Sequence, residues 1–123
     1  MRILLCDDTA ELRALLRSAL EAQDDVTIVG EAGDGDGTVA SAARTQPDIV
    51  VLDLEMPGPP AEALLSALRR VAPEARIVTF SGHQPSAVAG DAVREIALHL
   101  PKTTELTAAV RAVCELGRNH RAA

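Results

Sequence analysis

Five short apolar runs punctuate the chain, and an amphipathic stretch follows each of them. The runs are RILLC (2–6), VTIVG (26–30), DIVVL (48–52), ARIVTF (75–80) and IALHL (96–100). After Asp48 the third run is wholly apolar, as a central parallel strand covered on both faces requires. The intervening stretches, 9–22, 34–45, 60–71, 85–94 and 103–117, read as helices. Leu12, Leu15, Leu16, Ala19 and Leu20 share a face of the first, Leu64, Leu65, Leu68 and Val71 of the third, and Leu106, Ala109, Val110 and Val113 of the last. Asp8 and Glu11 stand at capping-box spacing for the first helix. The fourth helix is short, poorly patterned and interrupted by Gly90. Such alternation predicts an α/β fold: a doubly wound, five-stranded parallel sheet with helices on both faces. The 123 residues make one domain, here 1–117, followed by a C-terminal tail at 118–123.

The core must be aliphatic, because Phe80 is the only aromatic residue among 47% hydrophobic ones. A net charge of −6 argues against a general nucleic-acid-binding surface. No apolar run approaches the roughly 20 residues of a membrane span, and the DD pair at 7–8 interrupts any leader-like opening. Cys6 and Cys114 are expected as separate, buried, reduced thiols, which suits a cytoplasmic protein.

An open parallel sheet binds its ligands outside the carboxyl ends of its strands. Strand one there ends on Asp7 and Asp8, strand three on Asp53, strand four near Ser81 and strand five near His99 and Lys102. Three carboxylates at one edge repel one another unless a cation joins them, and oxygen donors suit Mg²⁺. Asp53 follows four apolar residues of a central strand, which makes it the best carboxylate nucleophile for aspartyl-phosphate chemistry. A lysine and Mg²⁺ would stabilise charge on the transferred group, and Ser81 would donate to one of its oxygens.

The motifs ILLCDD, PDIVVLDLEMPG, RIVTFSGH and the late PK resemble those of response-regulator receiver domains of two-component signalling. VTIVGEAGDGDGTV resembles the receivers of the NarL/FixJ type, which precede helix-turn-helix output domains. The resemblance implies strand order 2-1-3-4-5 and phosphoryl transfer from a sensor histidine kinase to Asp53, with Mg²⁺. It implies that Asp7, Asp8 and Asp53 hold the metal, with the backbone carbonyl of Glu55, and that Ser81 is the hydroxyl that reorients on phosphorylation. It also implies homodimerisation through the fourth and fifth units, and DNA contact only through an output domain absent from these residues.

Three departures stand out. Pro59, Pro60 and Ala61 follow MPG, where the family usually has Gly nearby. Lys102 follows Ser81 by one residue fewer than usual, with Pro101 before it rather than after. Strand five has no aromatic residue for the switch. Two alignments compete. Anchored on strand four, Lys102 is the family's lysine and His99 replaces the switch aromatic. Anchored on the last helix, His99 takes the lysine's place. The main reading is a phosphoryl-accepting switch with slow self-dephosphorylation. The alternative is a phosphorylation-independent receiver serving as a binding or dimerisation module. A hydrolase using Asp53 is disfavoured, because little length is left for a substrate-covering cap. His83 and His120 receive no role.

Overall fold

The computed structural model describes residues 1–122. Five strands, β1 (Arg2–Cys6), β2 (Thr27–Ala32), β3 (Ile49–Leu52), β4 (Arg76–Ser81) and β5 (Ile96–Pro101), form one parallel sheet in the order β2-β1-β3-β4-β5. The helices are α1 (Ala10–Glu21), α2 (Gly35–Thr45), α3 (Ala61–Val71), α4 (Pro85–Ala89) and α5 (Leu106–Ala122). This is the doubly wound fold and the strand order expected from the sequence.

Period-two alternation along the strands feeds two cores, one on each face of the sheet. Leu4, Cys6, Val50 and Leu52 point to one face and pack with Leu64, Leu65 and Leu68 of α3 and Ala42 of α2. Ile3, Leu5, Ile49 and Val51 point to the other, against Leu16 and Leu20 of α1 and Val110, Val113 and Cys114 of α5. All four residues of β3 are buried, as its unbroken apolar run requires. Cys6 and Cys114 are free, buried and on opposite faces.

Several local expectations are corrected. α1 begins after Thr9 with no side-chain cap, so Asp8 and Glu11 form no capping box. Asp7 supplies a substitute, its Oδ1 accepting from the Thr9 N–H at 2.8 Å. Leu15 is 57% exposed, because the wide apolar stripe of α1 exceeds the arc the sheet covers. Pro60 is the cap residue of α3 rather than its first turn. The fourth helix breaks at Gly90, whose φ of 54° turns α4 into a 3₁₀ helix over Gly90–Glu95. Residues 103–105 are not helical, and α5 continues past 117 to Ala122.

The turn between β3 and α3 docks on the start of α2. Gly35 N–H donates to the Pro57 carbonyl at 2.9 Å. Gly58 has a φ of 125°, and a Cβ there would lie 3.1 Å from the Gly35 nitrogen. Gly58→Ala therefore combines backbone strain with a clash against backbone. We expect it to destabilise by about 1–3 kcal/mol, read from the urea midpoint.

Candidate functional site

The inter-strand hydrogen bonds run one residue beyond β1, β3 and β5, and this extension aims the site. Asp7 N–H donates to the Ala32 carbonyl at 3.0 Å, Asp53 N–H to the Cys6 carbonyl at 2.9 Å, and Lys102 N–H to the Ser81 carbonyl at 3.1 Å. Both aspartates then fold onto their own following turns. Asp7 Oδ1 accepts from Thr9, and Asp53 Oδ1 accepts from the Glu55 N–H at 2.9 Å. Each carboxylate is thereby fixed by one oxygen, and the other faces the site.

Lys102 meets both free oxygens. Its Nζ lies 3.1 Å from Asp7 Oδ2 and 3.1 Å from Asp53 Oδ2. Burial works against the ammonium, but its bonds to Asp7 and Asp53 outweigh this and hold its pKa above the ordinary value. Burial pushes the Asp53 carboxyl up, against the opposing pull of the Glu55 N–H and Lys102.

Asp7, Asp8 and Asp53 bring carboxylate oxygens within 4.8 Å of one another, Asp8 being exposed and the other two buried. Three carboxylates against one ammonium leave two formal negative charges. An all-oxygen set with that excess fits a hard divalent cation such as Mg²⁺. The Glu55 side chain is not in this cluster. Its Oε1 accepts from Ser81 Oγ at 3.2 Å and meets His83 Nδ1. Its carboxyl is held below the ordinary value, chiefly by the His83 contact.

His99 and Lys102 are separated by register. β5 pairs His99 with Thr79 and Pro101 with Ser81, so His99 lies within the sheet and Lys102 is the first residue past it. Lys102 reaches the aspartates, whereas His99 Nδ1 sits 2.7 Å from the buried Thr79 Oγ1. Burial lowers the His99 pKa. As pH falls from about 7 toward 5.5, the unfolded chain gains a proton that folded His99 resists. Stability should decline across that interval and be unaffected by this group above it. The slope should flatten in His99→Gln, as measured by urea unfolding at each pH.

Sequence reasoning brought Asp7, Asp8, Asp53, Ser81 and Lys102 to this edge, where they lie. It missed Arg13, whose Nη1 donates to the Asp7 carbonyl at 2.6 Å while its Nε pairs with Glu31 at 2.9 Å. It also missed Thr79 and His83. An arginine one turn into α1 beside an acidic strand end was the available signal for Arg13. Nothing local marked the other two.

Residues 3–113 match the family described as the response regulator receiver domain. The nitrate/nitrite response regulator protein NarL of Escherichia coli K12 is 39% identical over 79 residues, 64% of this chain and 37% of that protein. A protein-glutamate methylesterase/protein-glutamine glutaminase of Azospirillum brasilense is 36% identical over 81 residues, 66% of this chain and 21% of that protein. The chain thus spans well under half the length of these curated relatives. Among solved structures, the signal receiver domain of NarL from Mycobacterium tuberculosis superposes with a TM-score of 0.83 at 29% identity, covering 95% of each chain. A LuxR-family two-component response regulator from an Aurantimonas species gives 0.83 at 31% identity, covering 96% of this chain and 85% of that one. With this site at the carboxyl edge of a 2-1-3-4-5 sheet, the chain belongs to the response regulator receiver domains of two-component systems.

Proposed function

We propose that this receiver accepts a phosphoryl group on Asp53 from the phosphohistidine of a sensor histidine kinase and acts as a signalling switch in the cytoplasm. The observation that carries the reading is the pair of fixed carboxylates, Asp7 and Asp53, each presenting one oxygen to Lys102. Their charge excess is a liability to the fold unless a cation and a phosphoryl group use it. Bound Mg²⁺ would neutralise charge on the transferred group. Asp7, Asp8 and Asp53 would hold it, with the Glu55 backbone carbonyl that the family resemblance adds.

Asp53 forms the new P–O bond as the donor's P–N bond breaks, its electron pair staying with the imidazole. Lys102, already between the two aspartates, balances charge on a phosphoryl oxygen. Ser81 donates its hydroxyl proton to another. Likeness to NarL and to LuxR-family regulators supports a transcriptional output through an attached DNA-binding domain, with homodimerisation as the means of engaging DNA.

A second reading, a binding or dimerisation module that phosphorylation does not switch, draws on two features. His99 stands hydrogen-bonded to Thr79 where the family has its mobile aromatic, and α4 is cut short at Gly90. Intact mass after incubation with acetyl phosphate and Mg²⁺ tests the first reading. One labile phosphoryl adduct is expected, absent with chelator and absent from Asp53→Asn. A folded, Mg²⁺-binding chain that gains no adduct from acetyl phosphate or from a panel of kinases would favour the second.

A further inference from the structure

Ser81 is buried at the end of β4, and its hydroxyl is hydrogen-bonded to Glu55 and His83. It donates to Glu55 Oε1 at 3.2 Å and accepts from the His83 backbone N–H at 3.3 Å. The His83 ring, through Nδ1, meets the same Glu55 oxygen. One carboxylate oxygen from the turn after β3 therefore gathers the hydroxyl at the end of β4 and the imidazole of the turn that follows. Lys102 N–H donates to the Ser81 backbone carbonyl.

We propose that Glu55 and His83 form a latch that holds the Ser81 hydroxyl off the acceptor until a phosphoryl oxygen competes for it. The proposal rests on the reading that Asp53 is the acceptor and that Ser81 then donates to its phosphoryl group. A hydroxyl has one proton to donate. While Glu55 takes it, no phosphoryl oxygen receives it. Phosphorylation exchanges one charge-assisted bond for another, so the two states lie close in free energy and the latch sets the balance between them. The Glu55 side chain is 38% exposed, so release returns it to water without stranding a buried charge. Glu55 and His83 are positioning residues here: they act on the reaction through Ser81. The His83 ring keeps the Glu55 carboxylate at the rim, within reach of the hydroxyl.

The test is a titration with beryllium fluoride in Mg²⁺, followed at the Ser81 and His83 amides by ¹⁵N NMR. Native protein, Glu55→Ala, Ser81→Ala and the double variant are compared. Glu55→Ala should tighten apparent binding roughly three- to tenfold, the net worth of one ordinary hydrogen bond. In the Ser81→Ala background the same change should have no effect. His83→Ala should give a smaller gain that vanishes without Glu55. In metal-free protein, Glu55→Ala should speed hydrogen exchange at the His83 amide, because its acceptor Ser81 Oγ is no longer held.

A gain that persists in Ser81→Ala would overturn the latch, since relief of charge repulsion alone would explain it. No gain at all would overturn it as well. Failure of native protein to bind beryllium fluoride would instead count against the acceptor reading. The metal-free amide exchange would then still decide whether Glu55 restrains Ser81.

Discussion

Asp53→Asn should take up no phosphoryl group, and in metal-free buffer it should unfold at a higher urea concentration than the native chain. The first outcome follows from losing the proposed nucleophile. The second follows from where the carboxylate sits. The Asp53 side chain is 3% exposed, and burial drives its pKa upward despite the Glu55 N–H and Lys102. Asparagine keeps the Oδ1 that accepts from Glu55 and sheds the charge, while Lys102 retains Asp7. A gain of about 0.5–2 kcal/mol is expected, the range of single stabilising substitutions. The pH dependence has a definite sign. Below the ordinary Asp value near 3.8 the carboxyl is protonated in both states and does no harm. As pH rises from there through the raised folded value, the native protein loses stability that Asp53→Asn keeps. Urea unfolding with chelator, from pH 3.5 to neutral, reads this as two curves that diverge upward in pH. Saturating Mg²⁺ should narrow the gap. A less stable Asp53→Asn would mean that the Lys102 contact outweighs the burial of the charge.

Lys102→Met should slow phosphoryl transfer from acetyl phosphate about 10²–10³-fold, the scale for removing one positioned group that stabilises transition-state charge. Methionine keeps much of the length of the side chain and removes the ammonium. In chelator the variant should also lose stability, by about 3 kcal/mol at most. Removing one member of a buried ion pair strands the other, but Lys102 is 28% exposed and the aspartates have protonation as an escape. Mg²⁺ should restore most of that loss and little of the rate. His99→Gln should transfer at near the native rate, because its ring faces Thr79 rather than the aspartates. The opposite pattern, with His99 essential and Lys102 dispensable, would revive the other alignment.

The strands were legible because a buried parallel strand leaves an uninterrupted apolar signature, and β3 carries it most plainly. The acidic edge was legible because every contributor sits at the end of such a run. What escaped depends on contacts between distant segments. Counting could not tell which of Lys102 and His99 reaches the aspartates, because that depends on the pairing of Ser81 with Pro101. His83 looks like a loop histidine until Glu55 arrives from another turn. The last helix is expected to end at 117, but α5 runs on through Gly117. A glycine fits at that position because Met1 and Ile49 occupy the space a Cβ would take. Leu15 fits a helical stripe yet faces outward, because periodicity marks an arc and not how much of it the sheet covers.

The two thiols divide the molecule between them. Cys6 lies one residue before the acidic pair in the core beneath α3, and Cys114, on α5, is buried in the core on the opposite side of the sheet. Burial lifts the Cys6 thiol to about 12 and raises Cys114 as well, so neither is reactive while its own layer is closed. Alkylation under native conditions therefore times the rare openings of each layer separately. With a selective reagent and peptide-level detection, the chain carries two independent clocks. Their rates, with and without beryllium fluoride, would report whether either half of the molecule loosens.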